Sequence, residues 1–258
     1  MTIIKRLLPA DQKEIQLLPL ADLHVGDINA DFARVREWLD YIAATPSAYC
    51  ILNGDLMDAA IASSVGDTYG AALQPMEQLR QCVEIFSPIA DKILAVLPGN
   101  HEARIYKTDG LDLTEILCSQ LGIADRYSPA SALLFLRFGE HRERQHRRPV
   151  CYTVYCVHGS GGGRKEGGKV QRLVNLAGIV DADVYIMSHT HQPAVVKQCF
   201  FRVSAANSSV AKVDKLFVNT AAALDYGGYG ELQSYKPASL DTPIIRLDGT
   251  RRRAVATL

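Results

Sequence analysis

Five short apolar runs in this 258-residue chain each give way to an aspartate, asparagine or histidine, and that recurrence limits the fold more than any other feature. Residues 15–20 lead into Asp22-Leu23-His24, 49–52 into Asn53-Gly54-Asp55, 93–97 into Gly99-Asn100-His101-Glu102, 151–157 into His158-Gly159, and 184–187 into His189-Thr190-His191. Short apolar runs bounded by glycine and polar residues read as buried strands, and 133–138 is expected to be another. Between them the apolar residues recur with helical spacing. Phe32, Val35, Trp38, Leu39 and Ile42 share one face, Leu73, Met76, Leu79, Val83 and Phe86 another, and shorter helices are expected at 113–121 and 170–176.

Alternating strand and helix over the first two thirds of the chain argues for a layered α/β architecture. The last third is strand-like at 195–203, 212–220 and 243–247, so a second, more antiparallel sheet is expected there. No repeat, linker or heptad stretch marks a boundary. A single domain over 1–258 is expected, with a strand-rich segment from about residue 194.

The carboxyl ends of strands in open α/β sheets line the functional crevice, so donors about 170 residues apart in sequence can converge. In extended chain, residues i and i+2 point to the same side, which predicts that Asp22 with His24, and His189 with His191, each present a pair of donors to one cavity. The donors are imidazole nitrogens, carboxylates and an amide oxygen. Without a thiolate, that set suits Mn, Fe, Zn or Ni, and its seven members suit two ions better than one tetrahedral ion. Four of the seven histidines hold these positions and His101 adjoins one; only His141 and His146 fall elsewhere, in a charged loop.

The ordered series Asp22-Leu-His24, Gly54-Asp55-Leu-Met-Asp58, Gly99-Asn100-His101-Glu102, His158 and Ser188-His189-Thr-His191 resembles the motif series of the calcineurin-like metallophosphoesterases, over about residues 15–193. Ser188 stands where that family usually has glycine; it is small and is not itself a ligand there. The resemblance implies a layered α-β-β-α sandwich of two mixed sheets. It implies that Asp22, His24 and His191 hold one divalent ion, that Asn100, His158 and His189 hold a second, and that Asp55 bridges them. Manganese is the first expectation for both ions. Such a centre activates a bridging hydroxide for in-line attack on phosphorus, with His101 protonating the departing oxygen. Asp58 either orients and charges His101 or is a first-turn helix residue. Glu102 and Arg104 flank the site, as support for its ligands or as a surface salt bridge.

After His158, the stretch Gly159-Ser-Gly-Gly-Gly163-Arg164-Lys165-Glu166-Gly167-Gly168-Lys169-Val170 nearly matches a phosphate-binding loop, but Val170 replaces the Ser or Thr that would hold Mg²⁺. It reads instead as a mobile loop overhanging the site. Arg164 and Lys165, with Arg104, are candidates for holding substrate phosphate, and Lys169 for the same role. The Arg-rich stretch 137–148 reads as a solvated hairpin tip and Arg251 to Arg253 as a basic tail. Tyr226, Tyr229 and Tyr235 lie among glycines, packing a turn-rich segment or stacking a base.

Equal numbers of basic and acidic residues, 28 each, exclude a surface built wholly for nucleic acid or anionic lipid. The six cysteines lack C-x-x-C spacing and read as reduced. Only Leu7 and Leu8 separate Lys5-Arg6 from Pro9, too short an apolar core for a secretion signal, and no apolar stretch reaches membrane-spanning length. A cytoplasmic protein without membrane association is expected. The expected activity is metal-dependent hydrolysis of phosphate esters, with diesters favoured because His101 can assist a poor alkoxide leaving group. Phosphomonoesters and a nuclease acting on DNA or RNA are the alternatives among enzymes, so the substrate is a phosphate ester that extends to nucleotides or nucleic acid. The nuclease branch of the family carries a capping domain and tail, and neither is expected in the 65 residues after 193. A non-catalytic binding scaffold is the alternative outside enzymes, and retention of all seven donors with His101 speaks against it.

Overall fold

The computed structural model describes residues 1–61, 72–139, 149–163, 165–227, 231 and 234–258. Strand β2 (Glu14–Leu20) buries Ile15 and Leu17 on one face and Leu18 and Leu20 on the other, because a layer packs on each side of it. It is central in a five-stranded sheet ordered β11 (Ala254–Thr257), β10 (Ile244–Asp248), β2, β3 (Ala48–Asn53) and β4 (Ile93–Leu97). A six-stranded sheet runs β1 (Thr2–Leu8), β5 (Ser131–Phe138), β6 (Cys151–Val157), β7 (Val184–Met187), β9 (Ser209–Asn219) and β8 (Ala194–Ser204).

The two sheets face each other across one apolar seam, where Ile15, Leu17 and Ile51 pack with Ile4, Leu134 and Val154. Helices α1 (Phe32–Ala44), α2 (Pro75–Phe86), α3 (Glu102–Asp109) and α4 (Leu113–Gln120) cover the outer face of the five-stranded sheet. Helix α5 (Glu166–Asn175) covers the other sheet through Leu173, against Tyr155, Tyr185 and Phe217. The result is the expected α-β-β-α sandwich of two mixed sheets.

The last third of the chain builds no sheet of its own. Strands β8 and β9 extend the six-stranded sheet, with β9 parallel to β7, while β10 runs antiparallel to β2. The reason is burial: Leu216, Phe217 and Val218 of β9 are apolar on both faces and fit only beside another two-sided strand. Strands β1 and β11 and helix α3 are additions to the sequence-based expectation. Both strands are sheet edges, and in β1 Ile3 and Leu7 remain exposed, which blurs the apolar pattern. Arg251 to Arg253 do not form a tail but lie in the turn between β10 and β11. Residues 140–148 of the expected hairpin tip, with His141 and His146, lie outside the described residues, as does Tyr229.

Candidate metal centre

The donor-bearing segments leave the carboxyl ends of β2, β3 and β4 in one sheet and of β6 and β7 in the other, so they meet where the edges of the two sheets adjoin. They are not extended. Asp22, His24, Asp55, His189 and His191 have φ of 53°, 46°, 50°, 69° and 51°, all left-handed. This corrects the expected i, i+2 pairing in extended chain. Asp and His tolerate this region better than most residues, and bonds between loops hold the conformation. The amides of Leu23 and His24 both donate to the Asp55 carbonyl, at 2.8 and 3.1 Å, and Asp22 N donates to Gly54 O at 3.0 Å.

One donor atom each from Asp22, His24 and His191 lies within 4.8 Å of the others, and the same holds for Asp55, His158 and His189. His24 Nε2 and His191 Nε2 are 3.4 Å apart, and Asp22 Oδ1 is 3.4 Å from His191 Nε2. Asn100 Oδ1 and Asp55 Oδ2 lie 3.2 and 3.1 Å from His158 Nε2. All seven expected ligands therefore stand together.

The donor chemistry fits divalent cations. His158 Nδ1 donates to the Asn53 carbonyl at 2.7 Å, so in the neutral ring Nε2 carries a lone pair facing two further acceptors, an arrangement that needs a cation or a proton between them. Asp22 Oδ1 is buried with no hydrogen-bond partner. In the metal-free protein a proton takes the cation's place at His158. Burial alone would lower its pKa, but the Asp55 carboxylate lifts it to about 10. Asp55, although burial opposes its charge, is held low by His158. Burial, followed by the charge of His101, pushes His24 down, and burial followed by His158 does the same to His189.

Residues beneath the donors set their positions. Glu102 is 1% exposed and accepts from Asp55 N at 3.1 Å, Gly99 N at 2.8 Å and Met57 N at 2.9 Å, which binds the β3 and β4 loops together. It is not a surface salt bridge. Burial and then the Asp55 charge raise its pKa. Gly99 has no room for a side chain, since a Cβ there would lie 2.0 Å from Asp55 Oδ1. Asn53 Nδ2 donates to Ser188 Oγ at 2.6 Å and to Val157 O at 3.0 Å, which joins the two sheets just below the donors and gives Ser188 a contact that glycine could not make.

His101 projects at the rim. Its Nδ1 donates to the Asp58 carbonyl at 2.7 Å and lies 3.2 Å from Asp58 Oδ1, while Nε2 is 3.9 Å from Asp55 Oδ2. Burial works to lower its pKa, but the Asp58 hydrogen bond and the Asp55 charge outweigh that and raise it. Asp58 lies outside any helix, so its reading as a first-turn helix residue fails. His24, Asp58 and His101 also group within 4.8 Å, with His24 shared between this set and the Asp22 set. Arg104 is half-buried on α3, close enough for its charge to oppose that of His101, and its Nη1 is buried without a hydrogen-bond partner.

The glycine-rich loop is tied down. Arg172, which sequence reasoning passed over, donates to the carbonyls of Gly161 and, at 2.8 Å, Gly162. Gly167, Gly168 and Lys169 lie inside α5, so the resemblance to a phosphate-binding loop does not extend to its geometry. Lys169 Nζ donates at 3.1 Å to the carbonyl of Thr190, between two of the histidine donors. Lys165 is exposed and shares a shallow cleft with Lys169 and Arg172, beside the donors rather than among them. Arg164 lies outside the described residues.

A two-sheet sandwich with carboxylate-imidazole clusters at the carboxyl ends of its strands defines an α/β scaffold with a candidate metal centre. A sequence model of the calcineurin-like phosphoesterase family matches residues 22–193, two thirds of the chain, and the protein belongs to that family. No curated protein sequence matches it. Among solved structures it is similar to a predicted phosphoesterase from Streptococcus pneumoniae TIGR4, at 12% identity over 95% of this chain and 98% of that one, with a TM-score of 0.34. Zinc-complexed Vps29 from Entamoeba histolytica is 12% identical over 94% and 97% of the two chains, with a TM-score of 0.42. GAP50, an inner-membrane-complex anchor of Plasmodium, is 10% identical over 92% and 82%, with a TM-score of 0.46. Nothing about activity follows from likenesses this distant. No helix among the described residues is long and apolar enough to cross a membrane.

Proposed function

We propose that the protein hydrolyses phosphate esters, phosphodiesters in preference, in the cytoplasm. Asp22, His24 and His191 would hold one divalent cation and Asn100, His158 and His189 a second, with Asp55 as the ligand they would share; manganese is the first candidate. When bound, such cations polarise phosphate oxygens and acidify water. The remaining work falls to the chain. Glu102 and Gly99 keep the Asp55 carboxylate in place, and the buried Asn53–Ser188 bond keeps the two sheet edges in register.

The observation that carries this reading is the fixed ring of His101. Because the Asp58 carbonyl occupies Nδ1–H, only Nε2 is free to exchange a proton, and it points toward the donor cluster. The imidazolium gives its Nε2 proton to the departing oxygen and keeps its Nδ1 proton on Asp58. Such help matters most for an alkoxide leaving group. Arg104, Lys165 and Arg164 are proposed to meet the substrate's phosphate. Six unpaired cysteines, four of them buried, support a reducing compartment.

The test compares a bis-aryl phosphate with the mono-aryl phosphate, using Mn²⁺-supplemented protein. Faster turnover of the diester is expected. Faster turnover of the monoester would reverse the preference, and inactivity on both would remove the enzymatic reading. Incubation with single- and double-stranded DNA at several salt concentrations tests the nuclease alternative, since backbone binding weakens as salt rises.

A further inference from the structure

At the end of the six-stranded sheet away from the donors, β8 and β9 run on past their neighbours as a two-stranded arm. Strand β7 pairs only with Leu216 to Asn219 of β9, so the portion 209–215 has β8 as its one partner among the described residues. Between this arm and the β10–β11 turn lies a cleft of about 550 Å³, within the range of small-ligand sites. Tyr152 at its floor is six residues from His158 along β6, which puts the cleft about 20 Å from the metal centre.

Its walls are cationic on both sides. On one face the arm contributes Lys197 and Lys212, while Arg202 and the buried Lys215 turn to its other face with Asp181, and the turn contributes Arg252 and Arg253. Two carboxylates, Asp183 and Asp214, answer the four cations that face the cleft. Asp183 pairs with Arg252 at 2.6 Å, Asp214 with Lys197 at 3.0 Å, and Asp181 with both Lys215 and Arg202, at 2.8 and 3.1 Å. That leaves a net of two positive charges facing the cleft, with no partner for the side chains of Lys212 and Arg253 among the described residues. A cleft of one sign between low-dielectric walls concentrates counter-ions.

The turn wall is also preformed. The hydroxyl of buried Tyr152 lies 2.7 Å from the Asp248 carbonyl and accepts from Arg253 N at 2.8 Å. The Asp248 carboxylate accepts from Thr250 N and Arg251 N, at 2.8 and 3.2 Å. These bonds fix the backbone of the turn, from which the Arg252 guanidinium is held against Asp183 at 2.6 Å and the unpaired, exposed Arg253 guanidinium is available to a phosphate oxygen.

We infer that this cleft is a second anion site, separate from the metal centre, for a ligand carrying a chain of two or more phosphates, such as free pyrophosphate or a nucleoside diphosphate. Enclosure by two walls and its volume favour a small molecule over a nucleic-acid strand.

Cys199 lies exposed in the same cleft and reports occupancy there directly. The experiment uses the full metal-loaded chain in a Cys151→Ser background and follows alkylation of Cys199 by neutral N-ethylmaleimide. Two hydrolysis-resistant probes are titrated in separate arms, methylenediphosphonate and the α,β-methylene analogue of ADP. Saturable slowing of at least tenfold by either supports the site. Slowing by both assigns the phosphate chain alone, and slowing only by the analogue assigns the nucleotide. Lys212→Gln with Arg253→Gln, both exposed, should raise the half-saturating concentration tenfold or more while leaving phosphoesterase activity unchanged. No slowing, equal slowing by sulfate at matched ionic strength, or undiminished slowing in the double variant would overturn the inference.

Discussion

His158 gives one ring nitrogen to the Asn53 carbonyl at 2.7 Å and holds the other 3.1 Å from the Asp55 carboxylate. Loading this position with a cation requires that the proton on Nε2 leave, and in the metal-free protein Asp55 lifts the His158 pKa to about 10. The apparent affinity for Mn²⁺ is therefore expected to rise about tenfold per pH unit between about pH 7 and 9, with one proton released per ion at this position. Calorimetry in two buffers of different ionisation enthalpy counts that proton. The same raised pKa stabilises the metal-free fold fully below 6.5, the unfolded value, and the gain disappears as pH climbs through about 10. Asp55→Ala should abolish both the stoichiometric metal and the proton release.

The donors were legible because charged and imidazole side chains at the ends of apolar runs are conspicuous. Their supports were not. Glu102 reads in sequence as any carboxylate after a histidine, and only burial shows that it binds three backbone amides rather than a surface cation. The left-handed backbone at Asp22 and His24 comes from bonds to the Asp55 carbonyl, a contact between loops that no local pattern encodes. Strands β8 and β9 were recognisable as strands, but their place beside β7 depends on which apolar surface was left uncovered.

Gly99→Ala puts a methyl 2.0 Å from Asp55 Oδ1 and 2.2 Å from Asp55 N. Neither can yield without moving the carboxylate. A loss of about 1–3 kcal/mol in stability is expected from overpacking. A fall of about 10–100-fold in metal affinity is expected from displacing a donor. Urea unfolding and metal analysis after dialysis check the two effects separately.

Glu102→Gln keeps the shape of the side chain but turns an NH₂ group toward at least one buried amide, Met57 N or the pair from Asp55 and Gly99. A donor facing a donor costs about 1–3 kcal/mol. Glu102→Ala leaves all three amides unsatisfied and should cost more. In both variants metal affinity is expected to fall although no ligand has changed, which isothermal titration with Mn²⁺ would reveal.

Lys215 is 6% exposed, donates to Asp181 at 2.8 Å and to the Tyr185 hydroxyl at 2.8 Å, and sits 4.7 Å from the centre of the Phe200 ring. Asp181, itself largely exposed, has its pKa lowered foremost by the Lys215 hydrogen bond. Its contribution is present above 3.8 and disappears as pH falls through the lowered folded value. Asp181→Asn should therefore cost up to about 1 kcal/mol at pH 7, after solvent screening. The gap between wild-type and variant urea midpoints should narrow below pH 3.8. Lys215→Met removes the same ion pair and also the hydrogen bond to Tyr185, so it should cost at least as much as Asp181→Asn.

The role of His101 is best read from leaving groups. With Nδ1 held by the Asp58 carbonyl, His101→Ala removes the Nε2 proton donor and leaves all seven donor residues in place. Metal content should be unchanged. Turnover of a dialkyl or alkyl-aryl phosphate that expels an alkoxide should drop about 10²–10⁴-fold, the ordinary worth of a positioned general acid. Expulsion of a weakly basic nitrophenolate, which needs no proton, should be far less affected. Asp58→Asn retains the backbone carbonyl and loses only the carboxylate 3.2 Å from Nδ1, so it should fall between wild type and His101→Ala on the alkoxide substrate. Equal losses on both substrates would assign His101 to substrate positioning, and no loss on the alkoxide substrate would remove it from the reaction.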